Sequence, residues 1–173
     1  ASGARVRIEG GTTFTTAHLR GNSSSLGFAP GSVLTGTILF EGPDTSTRSV
    51  EMNGASGTFT IGATGVIRTT ADFGGTTNLG GNLFQFGGGN MTLVNQGTIS
   101  SQTSGRTVTV QPNSFTNSGT LEAKNGGALT VSNLIGNLNA VTIAGTSTVT
   151  LNGTNYVNNL GLSVAAGATL TLN

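Results

Sequence analysis

One five-residue pattern returns along this chain at a nearly constant interval. Asn95-Gln96-Gly97-Thr98-Ile99 is followed 22 residues later by Asn117-Ser118-Gly119-Thr120-Leu121, and after another 22 by Asn139-Ala140-Val141-Thr142-Ile143. A weaker copy, Leu160-Gly161-Leu162-Ser163-Val164, comes 21 residues further on. A second register keeps almost the same step: Val108-Thr109-Val110, Leu129-Thr130-Val131, Val149-Thr150-Leu151 and Leu170-Thr171-Leu172. A period in the twenties is the mark of a solenoid, in which each repeat stacks on the one before. Stacked parallel turns bring like residues about 4.8 Å apart along the axis. Each aliphatic-Thr-aliphatic triplet then reads as a short strand with its aliphatics inward and its Thr outward.

This fixes the expected fold class as all-β. We expect a three-sided parallel β-solenoid of about seven rungs with roughly 21–22 residues each. Residues 1–173 form one domain, with irregular rungs over 1–90 and regular ones over 91–173. The early Gly-Thr-Ile copies, at Gly36-Thr37-Ile38 and Gly65-Val66-Ile67, are more widely spaced. That predicts insertions, placed at 41–47 and in the Gly-rich stretch 73–89. Residues 5–8 alternate as a half-exposed strand ending at Gly10-Gly11, 12–19 form another strand, and 21–31 read as a Ser/Gly loop. Asn53-Gly54, Asn125-Gly126 and Asn152-Gly153 are expected at corners, since Asn and Gly tolerate positive φ. A leucine-rich repeat needs a Leu frame and a helical return, and a β-sandwich leaves the Asn spacing unexplained. Asn95, Asn117 and Asn139 are read as an inward structural ladder.

Composition narrows the function classes. Charged residues are 8% of the chain and the net charge is +1. The seven cations are scattered, which argues against a nucleic-acid partner. No run of about 18 apolar residues is present, so no membrane insertion is expected. With no Cys, disulfide frameworks and thiol catalysis drop out. The start, Ala1-Ser2-Gly3, fits a cleaved export signal or a trimmed chain.

The stretches Leu93-Val94-Asn95-Gln96-Gly97-Thr98-Ile99, Phe115-Thr116-Asn117-Ser118-Gly119-Thr120-Leu121, Val149-Thr150-Leu151-Asn152-Gly153-Thr154-Asn155 and the closing Val164-Ala165-Ala166-Gly167-Ala168-Thr169-Leu170-Thr171-Leu172 carry a resemblance. The C-terminal half resembles the passenger repeats of bacterial autotransporter and filamentous-haemagglutinin-type surface proteins. The resemblance implies a secreted or cell-surface right-handed β-helix acting as a stalk, adhesin or matrix component.

No residue is read as catalytic, cofactor-binding or metal-binding. The acids are Glu9, Glu41, Asp44, Glu51, Asp72 and Glu122. Glu41 and Asp44 are read as a solvated loop pair flanking Pro43. Glu51 and Asp72 are the pair that could meet across neighbouring turns, and a polysaccharide-active enzyme is the weakest of three readings. His18, the single His, has no Ser or Asp partner at a known spacing and is read as surface. Two Asp are too few for calcium-binding glycine repeats, and no Gly-Lys-Ser/Thr follows the glycine clusters. Asn22, Asn90 and Asn152 match the N-glycosylation pattern.

Phe73, Phe84 and Phe86, in the Gly-rich insertion, are core cover or an aromatic surface for a partner or glycan. Leu170, Thr171 and Leu172 continue the repeat with no charged cap after them, so an open edge there is expected to pair with another copy. The other explanation is an excised piece of a longer solenoid. The expected function is a non-enzymatic fibre-forming protein whose main partner is itself; the alternative is a glycan-binding adhesin stalk.

Overall fold

A computed structural model describes residues 3–10, 12–160 and 162–173, without the side chains of Thr154 and Asn155. Ala1, Ser2, Gly11 and Gly161, on which parts of the readings above fall, lie outside the described residues. In chain order the strands are β1 (Arg5–Ile8), β2 (Thr16–Leu19), β3 (Ser25–Phe28), β4 (Val33–Leu34), β5 (Thr37–Phe40), β6 (Thr47–Met52), β7 (Gly57–Ile61), β8 (Val66–Thr69) and β9 (Thr76–Leu79). They continue as β10 (Met91–Asn95), β11 (Thr98–Ser101), β12 (Thr107–Val110), β13 (Ser114–Asn117), β14 (Thr120–Ala123), β15 (Ala128–Asn137), β16 (Ala140–Ile143), β17 (Thr148–Val157), β18 (Ser163–Val164) and β19 (Thr169–Leu172).

Every pairing between these strands is parallel, and partners are one turn apart in sequence. The chain is a parallel β-solenoid. One side stacks β1, β3, β6, β9, β12, the first half of β15, the first half of β17, and β19. A second stacks β4, β7, β10, β13 and the far half of β15. The third is a seven-stranded sheet, β18-β16-β14-β11-β8-β5-β2. The first two sides merge into one sheet because β15 and β17 run round the corner between them. Their register shifts between Ser132 and Leu134, beside Asn133 at φ +60°.

The core is the inside of this tube. Ile38, Ile67, Ile99, Leu121 and Val141 stack on the third side, each almost fully buried. Val50, Leu79, Val110, Val131 and Leu151 do the same on the first. Phe28 and Phe59 stack between sides with ring centroids 4.3 Å apart. Fully burying such a side chain is worth roughly 1.5–3 kcal/mol, and aligned columns repeat that gain at each turn.

The Gly of the Gly-Thr-Ile copies is a matter of space. Gly36, Gly65, Gly97 and Gly119 each precede a third-side strand, and none has positive φ. A Cβ on any of them would come closer than 3.0 Å to a backbone carbonyl oxygen of the turn below. In these four turns the corner is therefore tight enough to admit only hydrogen at that position.

Four expectations need correction. Residues 25–28, inside the expected Ser/Gly loop, are strand β3, buried throughout. The insertion at 73–89 holds a regular strand, β9, so the true excursion is 80–90. Asn152-Gly153 lies within β17, not at a positive-φ corner, unlike Asn53-Gly54 and Asn125-Gly126. The third Asn copy is displaced by two residues: Leu121 pairs with Val141, and Ile143 with Ala123. A two-residue slip keeps every side chain on its own face, so periodicity alone accepts either register.

Candidate functional site

The Asn positions act at the corner between second and third sides. Asn95 and Asn117 pair in register on adjacent strands and are buried. Asn95 Nδ2 donates to Asn117 Oδ1 at 2.7 Å, and Asn117 Nδ2 donates to the Leu138 carbonyl at 2.6 Å. The Asn95 carbonyl group of the side chain accepts from the Gly97 amide at 3.2 Å. Asn139 is different, as the two-residue slip requires. It stands one residue before its strand, where Gly97 and Gly119 stand in the turns below. It is half-buried at φ +54°, and its Nδ2 donates to the Asn117 backbone carbonyl. Asn159 extends this line by donating to Asn139 Oδ1 at 3.0 Å. The contacts are structural: they satisfy corner groups that would otherwise be buried without partners.

The three phenylalanines do not share a surface. Phe73 is 2% exposed, packed against Phe40 and under the Arg48 guanidinium at 5.0 Å from its ring centroid. Phe86 is 4% exposed and lies flat on Gly27, where any Cβ would meet its ring. Phe73 and Phe86 therefore take the core-cover reading, and the partner-surface alternative is left to Phe84 alone, 75% exposed at φ +59°.

What holds Phe84 out is Glu51. Its carboxylate, buried with its residue at 3% exposure, accepts from the Ser49 hydroxyl at 2.5 Å. It also accepts from the backbone amides of Leu83 at 3.1 Å and Gln85 at 3.3 Å. The 80–90 excursion is thereby strapped across β3 and β6. Glu51 and Asp72 do not come together, contrary to the pairing considered from sequence. Asp72 instead accepts from the Thr70 hydroxyl at 2.5 Å, which with its backbone hydrogen bonds holds its carboxyl below the usual range.

A second cluster escaped the sequence reading. Glu41 is 5% exposed, not solvated. It lies 2.7 Å from His18 Nδ1 and accepts from Arg20 Nε. Burial alone would raise its pKa, but the hydrogen bonds from Arg20 and His18 and their charges outweigh burial and lower it. His18 thus has an acidic partner after all, 23 residues away and one turn up. Nearby, Arg48 points inward and is fully buried. Its two terminal nitrogens donate to the carbonyls of Asp44, Ser46, Arg20 and Gly42. Burial lowers its pKa, partly offset by Asp44 and Asp72. It ties the 41–46 corner down, and Gly74 and Gly75 leave the room this needs. Asp44 is half-buried, with its carboxylate accepting from the Ser46 amide at 2.8 Å.

Glu122 pairs with Lys124 at 3.0 Å and accepts from Ser100 at 2.5 Å. Among the described residues, no three His, Cys, Asp or Glu side chains gather as a metal site.

Both extremes of the tube expose core positions. At one, Val6 is 50% exposed beside a trough of about 280 Å³ that Ala4, Ala17 and His18 also line, while Ile8, Leu19 and Leu26 at its floor are buried. At the other, Leu160, Val164 and Leu172 are 51%, 42% and 54% exposed. Among the described residues β1 pairs only with β3 and β19 only with β17. One aliphatic column runs the length of the first side, begun by Val6 and ended by Leu172.

No family model, no curated protein and no solved structure matches this chain.

Proposed function

We propose that this chain is a non-enzymatic structural element, a secreted bacterial β-solenoid that associates end to end into a cell-surface or extracellular fibre. The observation that supports the reading is that the first and last strands carry the two ends of one apolar column. Stacking a second copy so that columns continue sets Leu172 against Val6, both about half exposed and apolar. Parallel edges with free amides and carbonyls template such pairing. A head-to-tail contact of this kind does not close on itself and grows a filament. The aliphatic columns and backbone ladder would run unbroken along its axis. The acids support a structural role, since Glu41, Glu51 and Glu122 are each spent on holding neighbouring turns or loops.

Electron microscopy of the purified protein, with sedimentation across a concentration series, tests this. Fibres that disappear in Val6→Lys, with the β-sheet circular dichroism retained, are expected. Discrete monomers of the unaltered protein at high concentration would overturn it.

One observation favours the adhesin reading. Phe84 is held exposed, in a backbone conformation rare for an aromatic residue, on a strapped loop. Such a ring suits stacking on a sugar. A glycan-binding screen with Phe84→Ala as its control tests that; no binding to any acidic or neutral sugar removes it.

A further inference from the structure

The outer surface of the first side, from β12 to β19, carries two ranks of threonine. Thr107, Ala128, Thr148 and Thr169 form one rank, and Thr109, Thr130, Thr150 and Thr171 the other, each in strict register through successive pairings. Within a rank neighbours are about 4.8 Å apart, and the ranks are about 6.6–6.8 Å apart along the strands. The register shift in β15 begins only after Ser132, so this patch is unbulged. One flank is Gln111, Ser132, Asn152 and Asn173, and neither that flank nor the ranks carry a charge; on the other, Arg106 precedes Thr107.

The hydroxyls of these seven threonines have no protein partner among the described residues. Elsewhere threonine hydroxyls are used: Thr47 with Thr76, Thr64 with the Thr35 carbonyl, Thr103 with the Thr70 carbonyl. Threonine is stiff about χ1, so identical backbone settings repeat its hydroxyl and methyl at fixed intervals in two directions. Methyls hold water in ordered cages and hydroxyls anchor it by hydrogen bonds. The result is a neutral, periodic net that can position water in a two-dimensional lattice. A soluble ligand has no such periodicity, and a charged surface gains nothing from a neutral one. Ice, itself a repeating, uncharged lattice of hydrogen-bonded water, is the partner that this ordered water joins directly.

We propose that the threonine face of β12, β15, β17 and β19 is an ice-binding surface. It does not depend on end-to-end association, although a fibre would extend it.

The test measures ice shaping and thermal hysteresis of the whole protein. Thr130→Tyr and, separately, Thr150→Tyr put a ring in the middle of the net. Thr142→Tyr puts the same ring on the outer surface of β16. Circular dichroism and melting confirm that each variant folds. The expected result is faceted ice and hysteresis with the unaltered protein and with Thr142→Tyr, and loss of both with either substitution in the net. Three results would overturn the proposal. They are unshaped ice with no hysteresis for the unaltered protein, equal loss in all three variants, or full activity in the two net variants. Binding to crystalline cellulose or chitin with no effect on ice would assign the face to a polysaccharide instead and also overturn it.

Discussion

Gly97→Ala isolates the tight corner of the solenoid. The added Cβ would lie closer than 3.0 Å to the carbonyl oxygens of both Gly65 and Gly62. Overpacking of this sort costs about 1–3 kcal/mol. The obstacles are backbone atoms, which cannot rotate away. The Gly65 oxygen also accepts from the Thr98 amide at 3.0 Å, and moving it endangers a bond worth about 0.5–1.5 kcal/mol. Against this, Ala lowers the entropy of the unfolded chain by about 0.4–1 kcal/mol. At mid-range values the net is a loss of about 2 kcal/mol, or roughly 4–8 °C in Tm for a chain of this size. Gly10→Ala is the internal control, because a Cβ there meets nothing within 4 Å and Gly10 has no positive φ. Its Tm should move by no more than the effect of about 0.5 kcal/mol typical of open surface sites. Thermal melts followed by circular dichroism compare the two. If Gly97→Ala melts with Gly10→Ala, the close approach of successive turns at this corner is refuted.

Other perturbations have equally definite outcomes. Glu51→Gln replaces a carboxylate that holds two loop amides, and hydrogen bonds to a charged group contribute about 1.5–3 kcal/mol. Amide exchange at Leu83 and Gln85 should accelerate by roughly 10–100-fold, while exchange in β12 to β16 stays unchanged. Asn117→Ala leaves Asn95 Nδ2 and the Leu138 carbonyl without a side-chain partner, and each such buried loss costs about 1–3 kcal/mol; denaturant melts should show a lower midpoint. Glu41 titrates below its ordinary value in the folded state. Its contribution is therefore fully present above about pH 4.5 and is lost as pH falls through the lowered folded value. Glu41→Gln should flatten the acid limb of stability against pH, as read by melting temperature.

The first side was legible from β12 to β19, where its triplets alternate aliphatic and Thr from Val108 to Leu172, and not at β3 and β9. The third side was legible only to within two residues: Val141 and Ile143 are interchangeable to a period-two pattern, and Asn139 resembles Asn117 while standing at a glycine position. Ser25-Leu26-Gly27-Phe28 hid as a loop because its outward residues are covered by a later segment, which only the folded chain reveals. The partnership of His18 with Glu41 was hidden for the same reason. A 23-residue spacing has chemical meaning only once the turn length at that place is known. Phe73 and Phe84 look alike in a glycine-rich stretch, yet Arg48 and Phe40 bury one and Glu51 holds the other out.

The central claim is that turns lie in register along one axis, and paired spin labels measure this directly. The chain has no native Cys, so labels go only where cysteines are introduced. Thr47 and Thr148 are four pairing steps apart on the first side, and Thr47 and Thr169 are five. At about 4.8 Å per step the separations are roughly 19 Å and 24 Å. Electron–electron double resonance on Thr47→Cys/Thr148→Cys and Thr47→Cys/Thr169→Cys should give two narrow distributions differing by about one step. Equal distances, a reversed order, or broad distributions in both pairs would contradict the stacked architecture.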